Sequence, residues 1–234
     1  MQISFLLFPH VTQLDLTGPA QVLSRLPNAK VELVAKTLEP VPTDAGFPLL
    51  PSATFDSAAV PDILCVPGGF GVTGAMEDEA TLAWLRRATA QAQWVTSVCT
   101  GALVLGAAGL LQGYRATTHW ASHDWLAAFG AIPVKERIVF DGNRVTGGGV
   151  TAGIDFGLAL AAEIAGDDHA RFIQLSLEYD PAPPFDAGSP DKASAATIDT
   201  YNKLVARLSS DRPARYQAAA HRLHAKSPAG EGGA

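Results

Sequence analysis

The sequence predicts an α/β fold in which helices cover both faces of a mainly parallel sheet. Over the first 110 residues, short apolar runs alternate with stretches of helical spacing, as in chains that cross over between parallel strands. One of these runs, residues 93–98, stops at Cys99 and turns at once into an alanine- and leucine-rich helix. Because ligands bind beyond the carboxyl ends of such strands, a site is expected at this junction.

Each element of the first half follows from apolar spacing or from turn residues. The expected elements are a strand at 2–8, a helix starting at Thr17-Gly18-Pro19 and reaching about Leu26, a strand at 31–36, a buried strand at 62–66 and an amphipathic helix from Glu77 to about Gln91. The first three of these form a βαβ opening.

The second half is expected to begin with a hairpin and a long helix. Asp141-Gly142-Asn143 supplies the positive φ of a turn between strands at 135–140 and 144–146. A helix from Thr151 to about Ile164 carries small residues at helical spacing, which permits close packing in the core or at a subunit interface.

The composition changes at Pro181 to that of a linker, which divides the chain in two. We expect an α/β domain over residues 1–185. Residues 186–234 are expected to form a linker, a helical stretch near 192–208 and a disordered tail after Ser227.

Composition excludes several classes of partner. Hydrophobic residues make up 47% of the 234 residues, which is ample for a core, and the net charge of −6 without a basic run argues against nucleic acid. No apolar window approaches the length of a membrane span. Charged residues make up only 17%, below the roughly 25% that is usual, so an apolar subunit interface, and hence a homodimer, is expected. The two cysteines lack zinc or disulfide spacing, which favours the reducing cytoplasm.

Cys99 is the candidate nucleophile. A residue at a sharp strand-to-helix turn projects from the sheet edge, and the amides of the following helix favour the thiolate over the thiol. Gly101 would let helix and strand approach closely. The alternative is a small buried hydrophobe, which is the usual state of a free cysteine and the one expected for Cys65 in the middle of its strand.

Asp15 and two glycines could complete a site around this thiol. Asp15, just past the first strand, is either a helix cap or a proton carrier for bound substrate, since the ends of its strand and of the Cys99 strand could lie side by side. The amides of Gly68 and Gly69, with that of Thr100, could hold an anionic intermediate. A plain tight turn would use the same two glycines.

Among the six histidines, only His119 has an apolar and hydroxyl-rich setting, between Thr118 and Trp120. It is either a site residue or a partly buried histidine with satisfied hydrogen bonds. No histidine pair has metal-ligand spacing with a carboxylate or cysteine, so no metal is expected.

Taken together, several motifs resemble one known family. They are Asp15, Pro67-Gly68-Gly69, Val98-Cys99-Thr100-Gly101, Thr117-Thr118-His119-Trp120 and Gly148-Gly149-Val150-Thr151-Ala152-Gly153. From residue 2 to about 180 the chain resembles the PfpI-like branch of the glutamine-amidotransferase-like superfamily, and within it the isonitrile hydratases. The resemblance implies a flavodoxin-like three-layer sandwich, a homodimer and no cofactor. It also places two helix starts, Gly101-Ala102 and Gly153-Ile154, near the subunit contact.

The same resemblance implies the reaction and its residues. Cys99 would be the nucleophile, Asp15 the acid/base partner and Thr100 a donor beside them. Substrate-binding positions are then expected at Gly69, His119, Trp120 and Gly148. Water would add to a small apolar isocyanide through a Cys99 thioimidate and give an N-substituted formamide.

Other members of the branch differ at identifiable positions. Protease-like members have histidine directly after the nucleophile, where this chain has Thr100, and deglycase-like members usually have glutamate where it has Asp15. Regulators append a helix-turn-helix domain, which we do not expect in a chain of this length. Two alternatives stay open: a sensor with an oxidisable cysteine, and a deglycase or glyoxalase acting on α-oxoaldehydes.

Overall fold

A computed structural model of the chain describes residues 1–226. Within that range the strands are β1 (Gln2–Leu6), β2 (Lys30–Ala35), β3 (Val41–Pro42), β4 (Pro48–Leu49), β5 (Ala53–Thr54), β6 (Ile63–Val66), β7 (Trp94–Val98), β8 (Arg115–Ala116), β9 (Ile132–Pro133), β10 (Ile138–Asp141) and β11 (Arg144–Gly147). The α-helices are α1 (Gln13–Leu23), α2 (Val72–Glu77), α3 (Glu79–Thr89), α4 (Gly101–Ala107), α5 (Ala152–Ala165), α6 (Asp167–Ser176), α7 (Ala195–Leu208) and α8 (Arg212–Lys226). Two short 3₁₀ helices cover Trp120–Trp125 and Ala127–Phe129.

Seven strands form the central sheet, in the order β10-β11-β7-β6-β1-β2-β5. All neighbouring strands are parallel except β10, which pairs antiparallel with β11. Every residue of β6 is buried, as expected for a strand covered on both faces. Helices α1, α5 and α6 pack together, and α2, α3, α4 and α8 form a second group. The predicted three-layer flavodoxin-like sandwich is therefore confirmed.

The sheet order corrects one expectation about the site. Strand β6 lies between β1 and β7, so the strands that precede Asp15 and Cys99 are not adjacent. The loop that follows β6 therefore has to bridge the two residues.

One predicted helix start was wrong. Helix α1 begins at Gln13, not at Thr17-Gly18-Pro19, and Pro19 lies inside it. The amphipathic helix predicted from Glu77 to about Gln91 is confirmed as α3, which begins two residues later because Asp78 ends α2 and caps α3 by accepting a hydrogen bond from the Thr81 amide at 3.2 Å. The hairpin and the helix predicted at 151–164 are confirmed within a few residues.

The small residues of α5 serve packing within the chain. A side-chain carbon added at Gly153 would lie 3.0 Å from Pro19, and one added at Gly157 would lie 3.0 Å from Val22, both on α1. Gly101 meets the backbone of Val66 in the same way. The helix starts expected at the subunit contact are therefore used inside the fold, and they no longer support a dimer.

The C-terminal part holds more helix than the sequence predicted. Helices α6 and α8 were missed, and the helix expected near 192–208 begins at Ala195. Helix α8 packs against α2 and α4, and its residues Tyr216, Ala219 and Ala220 are buried. By contrast, α7 has no buried residue, and the segment 181–188 before it is exposed throughout. The tail predicted to be disordered after Ser227 lies outside the described residues.

Candidate active site

Cys99 lies at the predicted turn between β7 and α4. Its φ of +54° is in the left-handed region, which residues other than glycine rarely adopt. Its amide donates to the carbonyl oxygen of Gly147, the last residue of the neighbouring strand β11, at 3.1 Å and to that of Gly148, the next residue, at 2.7 Å. The Thr118 hydroxyl donates to the Cys99 carbonyl oxygen at 2.7 Å. These bonds hold a strained backbone in place, which is a common feature of functional sites.

Asp15 faces this turn from the first turn of α1. The residue is only 1% exposed, and its Oδ2 accepts a hydrogen bond from the Gly68 amide at 2.9 Å. Within residues 1–226, Oδ1 has no hydrogen-bond partner of normal geometry. Thr12 is the residue at the N-cap position of α1. Asp15 is therefore not a helix cap, and its carboxyl group is directed out of its own helix into the site.

Gly68 joins the two halves of the site. A side-chain carbon at this position would lie 2.6 Å from both the amide nitrogen and Oγ1 of Thr100, and 2.9 Å from Asp15 Oδ2. Only glycine leaves room for the carboxyl group and the hydroxyl to lie on either side of one backbone.

The expected anion-binding glycine amides are occupied. The Gly68 amide donates to Asp15, and the Gly69 amide donates to Thr100 Oγ1 at 3.1 Å. The expectation that these two amides hold an anionic intermediate was therefore wrong for this arrangement. They position the carboxyl group and the hydroxyl instead.

Burial dominates the protonation of the Cys99–Asp15 pair. Burial raises the pKa of Asp15 from 3.8 to about 7, although the Gly68 amide and the Cys99 thiol lower it, and the nearby Asp44 raises it further. Burial and the Asp15 charge raise the pKa of Cys99 well above its usual range, although the Thr100 amide and hydroxyl lower it. The predicted preference for the thiolate was wrong, because desolvation outweighs the helix amides.

Three aromatic rings pack against one another, two of them from the residues directly after Thr118, whose hydroxyl is bonded to the Cys99 backbone. The His119 ring centroid is 5.7 Å from that of Trp120 and 5.9 Å from that of Tyr201, with Tyr201 stacked at an interplanar angle of 23°. The Trp120 and Tyr201 centroids are 4.9 Å apart. Burial, with a smaller effect of Arg212, lowers the pKa of His119 to about 4, so its ring is neutral at pH 7. His119 is therefore part of an aromatic wall.

Sequence reasoning missed the contribution of the C-terminal helices. Tyr201 belongs to α7, and burial together with the Cys99 charge raises its pKa. Arg212 at the start of α8 places its guanidinium carbon 5.1 Å from the Phe70 ring centroid. No motif marks these residues, because their role depends on where the helices dock.

The other site expectations have simpler outcomes. Gly148 contacts the Cys99 backbone, and Gly69 lies in a bridge with Val11, while their binding roles stay predictions. Cys65 is buried, accepts a hydrogen bond from the Thr96 hydroxyl at 3.1 Å, and has its pKa raised by burial to about 12. No group of three His, Cys, Asp or Glu side chains suited to a metal occurs within residues 1–226. Nor does that part contain a helix long and apolar enough to cross a membrane.

A parallel sandwich with a strained cysteine elbow and a buried carboxyl partner defines the class of the protein. Residues 1–163 match the DJ-1/PfpI family, and the chain belongs to that family. It is 61% identical to isonitrile hydratase from Pseudomonas putida over 206 residues, which cover 88% of this chain and 90% of that protein.

Solved structures agree with this assignment. A THiJ/PfpI family protein from Pseudomonas syringae matches with a TM-score of 0.88 and 46% identity, over 94% of this chain and 90% of the other. A cysteine-to-alanine mutant of a DJ-1 superfamily protein from Salmonella typhimurium matches with a TM-score of 0.69 and 28% identity, over 77% of this chain and 99% of the other.

Proposed function

We propose that the protein is an isonitrile hydratase that adds water to isocyanides through a Cys99 thioimidate. The observation that carries the proposal is the buried Asp15 carboxyl group beside the Cys99 thiol, with a pKa raised by burial to about 7. A carboxyl group with this pKa can both accept and donate a proton at neutral pH. The 61% identity to isonitrile hydratase supports the same reaction.

The first half of the reaction forms the carbon–sulfur bond. The Cys99 thiol transfers its proton to ionised Asp15 as sulfur attacks the terminal carbon of R–N≡C. Asp15 then gives that proton to the same carbon, which yields the thioimidate R–N=CH–S–Cys99. Because the pKa of Cys99 is raised, attack and proton transfer are coupled, and no free thiolate accumulates.

The second half adds water and releases the thiol. Water attacks the thioimidate carbon while Asp15 accepts one proton from this water, and Asp15 then donates that proton to the substrate nitrogen. The tetrahedral adduct R–NH–CH(OH)–S–Cys99 then collapses to R–NH–CHO. The carbon–sulfur bond breaks as Asp15 accepts the hydroxyl proton of the adduct, and Asp15 transfers this proton to sulfur, which restores the Cys99 thiol.

The surrounding residues position these groups. Thr100 holds the loop after β6 through the Gly69 amide and lowers the pKa of Cys99. Neutral His119 and Trp120 would contact the apolar R group, and Gly69 and Gly148 would border it. None of these contacts requires a metal or an organic cofactor in the proposed reaction.

The two other candidate functions receive less support from this geometry. A peroxide sensor works through an accessible thiolate, whereas Cys99 is 6% exposed and has a raised pKa. A deglycase or glyoxalase would use the same sulfur. Its substrate, an α-oxoaldehyde in place of an isocyanide, distinguishes it from the hydratase.

We also propose that the protein is a cytoplasmic homodimer. Each chain consists of an α/β domain over residues 1–185 and a C-terminal extension. Both cysteines are free, as expected for a reducing compartment. Phe172 and Leu175 on α6 are 62% and 80% exposed, and such apolar faces are commonly covered in assemblies.

A substrate panel tests the reaction. The purified protein is incubated with an aryl isocyanide and, separately, with methylglyoxal, while formamide and lactate are measured. We expect formamide only, with catalytic turnover. Lactate without formamide would replace the hydratase by a glyoxalase. Neither product, together with the consumption of a single equivalent of peroxide per chain, would indicate a sensor.

A further inference from the structure

The Tyr201 ring connects the active site to a neighbouring cavity. One side of the ring stacks on His119, and the residue before His119 donates a hydrogen bond to the Cys99 carbonyl oxygen. Tyr201 also lines a cavity of about 320 Å³ between α7, α8 and the 3₁₀ helix at 120–125. The described residues that line this cavity include neither His119 nor Cys99. Tyr201 therefore contacts both the His119 ring and the cavity.

The cavity has the size and lining of a ligand pocket. Its volume falls within the range of about 300–1,000 Å³ typical of small-molecule sites. Trp125, Val205 and Tyr216 supply apolar surface, and Ser122 and Arg212 supply polar groups. An apolar substituent could be accommodated there if it could pass the Tyr201 ring.

Helix α7 carries Tyr201 and makes few other contacts with the rest of the protein. None of its residues is buried, Leu204 is 45% exposed, and the segment 181–188 leading to it is exposed. Truncating Tyr201 would therefore remove a partition without removing a core residue.

We propose that Tyr201 is the specificity-determining residue of the active site: its ring forms the end wall of the pocket for the isocyanide R group and excludes large substituents from the adjoining cavity. The identity of the substrate rests on the proposed hydratase function. The wild-type enzyme then prefers compact R groups, and loss of the ring joins the cavity to the pocket.

Activity on two isocyanides of different size tests this proposal. For the wild type, Tyr201→Ala, Tyr201→Phe and Leu204→Ala, kcat/KM is measured with 4-biphenylyl isocyanide and with tert-butyl isocyanide. Tyr201→Ala is expected to raise the large-to-small ratio by about tenfold or more, the scale on which pocket size discriminates between substrates. Tyr201→Phe, which keeps the ring, and Leu204→Ala, on the exposed face of the same helix, should keep the wild-type ratio.

A second readout separates this proposal from the hydratase reaction. The rates at which N-pyrenylmaleimide and N-methylmaleimide alkylate Cys99 are measured by peptide mass spectrometry, which distinguishes Cys99 from Cys65. Tyr201→Ala should again raise the large-to-small ratio. If the wild type hydrates no isocyanide, the proposed function fails, and the maleimide ratio still decides the role of Tyr201. The proposed end wall is overturned if Tyr201→Ala lowers the large-to-small ratio or leaves it unchanged. The second case includes an equal rise in the rates for the large and the small reagent.

Discussion

Replacing Asp15 with asparagine should abolish most activity and yet stabilise the protein at high pH. Asparagine keeps the shape of the side chain, and its carbonyl oxygen can still accept the Gly68 hydrogen bond now made at 2.9 Å. It cannot exchange a proton with substrate, so turnover should fall by about two to four orders of magnitude.

The stability effect follows from the raised pKa of Asp15. Burial raises this pKa from 3.8 to about 7, so the fold favours the protonated carboxyl group. Titration of Asp15 does not change the free energy of unfolding of the wild type below pH 3.8. This free energy falls as pH rises from 3.8 to about 7. This difference in pKa corresponds to about 4 kcal/mol. Asparagine does not titrate, and its buried amide costs about 1–3 kcal/mol if it lacks a partner.

Denaturant unfolding at pH 4 and pH 8 measures this effect. The free energy of unfolding of Asp15→Asn, relative to wild type, should rise by up to about 4 kcal/mol between the two pH values. Asp56→Asn, at an exposed carboxylate, is the matched control and should show no comparable rise. A pH-independent difference would refute the buried, proton-binding carboxyl group, and near-normal turnover would refute its role in catalysis.

Three further predictions address the nucleophile, the loop after β6 and the assembly. Cys99→Ala should lose isocyanide hydration, whereas Cys65→Ser should fold and turn over. Formamide release measures both. If Cys99→Ala still produces formamide, another group attacks the substrate. Gly68→Ala should lower kcat at least about a hundredfold, because the added carbon would lie 2.6 Å from Thr100 and displace the Asp15 contact, whereas Gly74→Ala, with open space around it in α2, should be neutral or slightly stabilising in activity and melting measurements. Light scattering at low micromolar concentration should give the mass of two chains, and a fully active monomer would contradict the dimer.

The amino-acid sequence alone determined the architecture and the position of Cys99 at a strand-to-helix turn. Alternating apolar runs and helical stretches specify parallel strands with crossovers, because these periodicities are properties of neighbouring residues. The turn at Cys99 could be predicted in the same way, because Gly101 and the preceding strand both lie within a few residues of Cys99.

Only the tertiary structure decided how the site works. The contact between Asp15 and Gly68 joins residues 53 positions apart, and the stacking of Tyr201 on His119 depends on where α7 docks. The direction of the Cys99 pKa was misjudged for the same reason. Local sequence reveals a helix start that favours the thiolate, whereas burial and a distant carboxyl group, which reverse that preference, exist only once the chain has folded.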